Sequence, residues 1–215
     1  MATGHSQETR MRILFEQLNR AYAALAHHRR ARMRSMSWGS TLMLILLLLG
    51  FTKWMVMAAL ALPFVAIYLV VQYGCLTHLI TYHRAVVAEL ESKINHELGE
   101  TLLVGASLEA KLCGPVGQSH FLGLSAGNLT CLFSIATIHY LVICLLMFLA
   151  GALRTQYVLK HPELRPVDRF GDIYAPFLLL WALANILYLI WYYVKGEQEK
   201  DLLAAIRKEC QPKSE

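Results

Sequence analysis

Residues Trp38–Thr81 read WGSTLMLILLLLGFTKWMVMAALALPFVAIYLVVQYGCLTHLIT, and Lys53 is the only Lys, Arg, Asp or Glu among them. The run is about twice the ~20 apolar residues that carry one helix across a bilayer. It therefore predicts two crossings: a first helix over about Ser35–Gly50, a turn at Gly50-Phe51-Thr52-Lys53, and a second helix from about Trp54. Gly50 suits turn geometry, Lys53 can extend its charge to the headgroups, and Trp54 suits a membrane–water boundary. The composition agrees: 56% of the 215 residues are hydrophobic and mean hydropathy is +0.43, above the usual soluble domain. The chain reads as an integral membrane protein.

Upstream, residues 1–35 read as a basic amphipathic cytosolic helix. Met11, Leu14, Leu18, Ala21 and Leu25 recur at three-four spacing, Phe15 and Tyr22 widen the stripe, and Arg12, Glu16, Asn19 and Arg20 lie opposite. No Pro or Gly interrupts the passage through HHRRARMRSMSW, so one helix is predicted to continue into the membrane. Seven arginines precede the first span against Glu8 and Glu16. A basic flank of this kind fixes orientation, with the N terminus cytoplasmic, rather than binding nucleic acid. Arg29, Arg30, Arg32 and Arg34 are the candidate binders of anionic lipid headgroups.

Downstream, the transmembrane hairpin occupies 36–82, and Pro63 is expected to kink its second helix. Apolar character fades at Gln72, Tyr73, Thr77 and His78, but helical periodicity persists. Val87, Leu90, Ile94 and Leu98 continue a stripe, with Glu89, Glu91, Lys93, Glu97 and Glu100 as the polar face. The segment 83–127 is thus predicted to project into the cytosol and pack, stripe to stripe, on the N-terminal helix. Within it, Leu102, Leu103, Val104, Leu108 and Leu112 suit a short interfacial helix. A second hairpin spans 128–195, with crossings at about Leu129–Leu153 and Ile173–Val194 and an external loop over 154–172. Pro176 falls in the first turn of the last crossing, where proline is tolerated, and Trp191, Tyr192 and Tyr193 mark its far interface. Residues 196–215 form a cytosolic tail with a short helix. The predicted fold is all-α and polytopic: four transmembrane helices in two hairpins with long amphipathic cytosolic extensions, in the cell membrane, both termini cytoplasmic.

Chemistry is less legible. The five cysteines have no paired spacing and read as small buried hydrophobes. His78 and His83 have the spacing of one histidine box of membrane oxygenases, but the only other close pair, His27-His28, lies among arginines that repel a cation. A metal or a cofactor is therefore not expected. His139 reads as mid-span in the third crossing, where an ionisable group is either functional or hydrogen-bonded across helices. Ser134 and Thr137 extend a polar face on that helix, and Asn185 lies with Tyr174, Trp181, Tyr188 and Tyr192 along one face of the fourth. Such faces join helices or line a wet passage. No span carries an acid, which argues against carboxylate-based coupled transport.

Three functions fit. The first is a homo-oligomeric pore or ion channel with His139, Asn185, Ser134, Thr137 and Tyr188 as candidate polar positions. The second is a membrane anchor recruiting a cytosolic protein through helices 8–36 and 84–112. The third, and least favoured, is a histidine-dependent membrane enzyme using His78, His83 and His139.

Overall fold

The computed structural model describes residues 2–52, 55–108, 132–164 and 169–210, and every regular element within them is helical. Helix α1 is Ala2–Gly50, α2 is Leu62–Leu98, α3 is Leu132–Lys160 and α4 is Phe170–Cys210. Short 3₁₀ segments occupy Val56–Ala61, ahead of α2, and Pro162–Leu164. All four α-helices contain a stretch long and apolar enough to cross a membrane. Lys53, Trp54, Leu112 and Leu129, and Cys113 and Cys131 of the five cysteines, lie outside the described residues.

Several boundaries differ from expectation. Helix α2 starts at Leu62, not near Trp54, which puts Pro63 in its first turn. There the missing N–H breaks no intrahelical bond, so Pro63 opens the helix instead of kinking it. Pro176 moves the other way: α4 begins at Phe170, and the proline lies inside it. Helix α3 continues past Leu153 to Lys160, and α4 runs unbroken to Cys210, so much of the predicted loop and tail is helical. Gly50 ends α1 without positive φ; its role is close approach, since a Cβ there would stand 2.3 Å from the Ala59 methyl. Positive φ is found at Gly99 (φ 70°), directly after α2, where glycine turns the chain out of the helix.

The described residues fall into two compact units. The first takes those within 1–31, 76–135 and 194–215. Its core joins Leu14, Leu18, Ala21 and Leu25 of α1 to Ile80, Val87 and Ile94 of α2. Each buried leucine or isoleucine stabilises by roughly 1.5–3 kcal/mol. The helices run antiparallel here, because Arg10 pairs with Glu97 at 2.9 Å while His28 lies against His83. Phe15, counted in the apolar stripe by spacing, is exposed.

The second unit takes the described residues within 32–75 and 136–193. Helix α2 touches each of the others. Met43 of α1, Leu62, Ala66, Leu69 and Tyr73 of α2, and Tyr140 and Cys144 of α3 form its filled core. Ser35 bonds Gln72 while Gly50 meets Ala59, so α1 is antiparallel to α2. Thr137 meets Tyr73 while Gly151 meets Pro63, so α3 is antiparallel as well. Helix α4 runs parallel to α2, with Tyr174 at Leu60 and Tyr192 at Cys75. From Thr137 to Val158, α3 rises about 31 Å at ~1.5 Å per residue, close to the hydrocarbon thickness of about 30 Å.

Candidate functional site

The second unit carries a buried polar cluster at one end. It forms where the apolar run of α2 gives way to Gln72 and Tyr73. Ser35 Oγ donates to Gln72 Oε1 at 2.9 Å. The Tyr73 hydroxyl shares a hydrogen bond with Thr137 Oγ1 on α3, and the Tyr73 and Tyr140 rings lie 5.2 Å apart. Arg32 is 9% exposed and places its guanidinium over the Tyr73 ring, 5.9 Å from the centroid. This cation–π contact places a charge at the margin of the apolar core.

Helix α4 attaches through donors aimed at backbone oxygens. The Tyr174 hydroxyl donates to Leu60 O at 2.8 Å, Trp181 Nε1 to Phe64 O at 3.2 Å, and the Tyr192 hydroxyl to Cys75 O at 3.3 Å. A carbonyl oxygen has two lone pairs, so each of these oxygens can take a side-chain donor beside any helix bond it accepts. At Tyr174, Trp181 and Tyr192 the polar-aromatic face of α4 is therefore an interhelical seam along α2.

The first unit holds a different construction. The Asn95 side chain reads the backbone after Gly99: Nδ2 donates to Leu103 O at 2.8 Å, and Oδ1 accepts from Leu102 N at 3.1 Å and Leu103 N at 2.8 Å. Glu91 is 4% exposed; its Oε2 accepts from Ala106 N at 2.8 Å and its Oε1 from the Tyr22 hydroxyl. Residues 105–108 are helical, so Glu91 serves as a carboxylate at a helical N-terminus. Residues 101–104 are not helical, contrary to the expected short helix, because Asn95 takes up their backbone groups. Spacing put Glu91 on the polar face; its actual partners explain why a carboxylate is tolerated inside.

Imidazoles gather in the same unit. The His28 and His83 rings stack 4.9 Å apart at 17°, with His27 edge-on to His28 at 5.5 Å and Tyr82 edge-on to His83 at 5.3 Å. Stacked rings present π faces, not lone pairs, to each other, so this pair is not arranged as a chelate. Among the described residues no three His, Cys, Asp or Glu side chains are grouped to hold a metal. Burial, and next the neighbouring His27, push the His28 imidazole below its ordinary value.

The residues singled out from the sequence are dispersed. Thr137 is fully buried and bonded to Tyr73. His139 is exposed and lies within a turn of Thr137, nearer the polar end of α3 than mid-span. Asn185 Nδ2 donates to Trp181 O, one turn back on its own helix. Tyr188 is half-exposed, its ring beside Trp191 and Tyr192. The Ser134 side chain lies outside the described residues. Of the arginines, Arg30 and Arg34 are exposed, Arg29 is half-buried and Arg32 is buried. Cys75 and Cys144 are buried thiols. Sequence reasoning missed Glu91, Asn95 and Tyr140 as organising residues. A weak signal existed for Asn95, which stands four residues before Gly99 near the end of a helix.

Comparison with protein-family models, with curated proteins and with solved structures gives no match.

Proposed function

We propose that the chain is a multi-pass membrane protein of two transmembrane hairpins, both termini cytoplasmic, that self-associates to form a pore or ion channel between its copies. The observation that supports this is the distribution of polarity in the second unit. Its interior is filled by Met43, Leu62, Leu69, Tyr73, Tyr140 and Cys144. His139 and Tyr188 instead face outward, among exposed Ile138, Val142, Leu145, Ile186 and Leu187. Because this described interior is filled by side chains, our reading has the outward polar groups wetted where copies meet. The test is the mass of the protein in nanodiscs together with ion flux in liposomes. A defined ring-sized oligomer with flux that changes on His139→Leu supports the reading. A monomer without flux defeats it.

A second reading, an anchor for a cytosolic protein, is favoured by exposed Ile13 and Phe15 on α1 and Leu102 and Leu108 beyond α2. Leu18 is 4% exposed and is engaged within the protein itself. Phe15→Glu, not Leu18→Glu, therefore tests partner capture without attacking the core.

A further inference from the structure

One face of α1 in the second unit changes character along its length. Arg34, Ser37, Trp38 and Thr41 are all exposed, Trp38 at 71%, and they fall at i, i+3, i+4 and i+7. That spacing sets them on a single helical face. The same face continues, at the same periodicity, into exposed Ile45 and Leu48. Its upper half bears hydrogen-bond donors and its lower half only hydrocarbon.

Three of the four donors, those of Arg34, Ser37 and Trp38, have no acceptor among the described residues. Thr41 is committed, since its hydroxyl donates to Ser37 O at 2.9 Å. The Arg34 guanidinium, the Ser37 hydroxyl and the Trp38 indole N–H have no hydrogen bond or ion pair there. Nor does the sequence supply an acid nearby: after Glu16 the next Asp or Glu is Glu89. Arg32, two residues before Arg34, is turned inward over Tyr73 and belongs to the core.

We propose that Arg34, Ser37 and Trp38 bind the phosphodiester of one anionic phospholipid, whose acyl chain lies along Ile45 and Leu48. A phosphate offers only acceptors and a negative charge, which complements one guanidinium fork, one hydroxyl and one indole N–H. Tryptophan at the boundary places its ring at glycerol depth with its N–H towards water. The lower half then meets the acyl chain at the depth where an acyl chain must be. A zwitterionic headgroup also carries an ammonium, and this face holds no carboxylate to receive it. The site narrows the broad basic cluster to one lipid and separates Arg34, which binds, from Arg32, which packs.

The inference rests on reading α1 as membrane-spanning. The test uses the full chain in mild detergent, with native mass spectrometry counting bound phosphatidylglycerol and phosphatidylcholine. The expected result is one phosphatidylglycerol retained about tenfold more tightly than phosphatidylcholine, with the preference lost in Arg34→Gln and weakened in Ser37→Ala/Trp38→Phe. Arg12→Gln, an exposed arginine in the other unit, should bind as the unaltered chain does. Equal retention of the two lipids overturns the site. So does undiminished preference in Arg34→Gln, or an equal loss in Arg12→Gln, which would indicate diffuse charge attraction. A carbonate wash of membranes separates the two levels: extraction of the chain defeats the membrane reading, whereas retention with an indifferent Arg34→Gln defeats only the lipid site.

Discussion

The backbone N–H of Ala106 donates to the Glu91 carboxylate at 2.8 Å, across fifteen residues of chain that turn at Gly99. The other carboxylate oxygen takes the Tyr22 hydroxyl from α1. A single buried side chain thus ties α1, α2 and the segment after α2 together. Glu91→Ala removes the acceptor for both donors, and leaving them unmatched should cost about 2 kcal/mol or more. Hydrogen exchange at residues 102–107 is the direct readout, with faster exchange expected there than along Ile80–Val87. Unchanged protection would mean that Asn95 alone holds the segment.

The Tyr73–Thr137 bond makes a separate, quantitative prediction. Tyr73→Phe and Thr137→Val each remove one partner of a buried interhelical hydrogen bond. In membrane bundles such bonds are worth about 0.6 kcal/mol on average and up to about 1.7. A double-mutant cycle of unfolding in mixed micelles should give a coupling in that range. A coupling near zero would show that ring packing against Tyr140, not the hydroxyl, joins α2 to α3.

What could be read from the residues alone divides by length scale. The apolar stripe Leu14-Leu18-Ala21-Leu25 was legible because burial over several turns leaves a period, and these side chains are the ones buried in the first unit. The four apolar helices were legible for the same reason. Glu91 was not, because a buried carboxylate is determined by two donors remote from it in sequence, and no local pattern encodes them. The ends of α2 were misplaced for a related reason: Pro63 both kinks interiors and opens first turns, and only the 3₁₀ segment at Val56–Ala61 decides between them. The polar face of α4 was visible as spacing. That Tyr174, Trp181 and Tyr192 reach backbone oxygens around α2 depends on tertiary register, which spacing does not contain.

Close packing at Gly151 gives a third prediction. A Cβ there would lie 2.6 Å from Pro63 Cδ and 2.9 Å from Leu62 Cβ, both rigid groups at the start of α2. At Gly39 the nearest atoms are the Leu69 methyls at 2.8 and 2.9 Å, which end a rotatable side chain. Gly151→Ala should therefore destabilise by about 1–3 kcal/mol, and Gly39→Ala by less. Thermal unfolding of the two variants in one detergent ranks them. The reverse order would mean that α3 shifts along α2 more readily than Leu69 changes rotamer.

The imidazole stack gives the protein a pH dependence whose sign follows from burial. His28 has His27 edge-on and His83 stacked face to face, with Tyr82 against His83. Arg29 and Arg84, adjacent in sequence to His28 and His83, carry positive charge. Its folded-state value lies below the ordinary 6.5, by desolvation first and His27 second. The unfolded chain therefore takes up the proton at a higher pH than the folded one. Stability is fully present above about 6.5 and is lost as pH falls through that value towards the lower folded one. Melting followed by circular dichroism should show a lower Tm at pH 5.0 than at pH 7.5. His28→Gln should narrow that difference, because it removes the proton-binding ring while retaining a polar side chain of similar reach. An equal difference in both proteins would assign the pH response to other groups and leave the His28–His83 stack a passive packing contact.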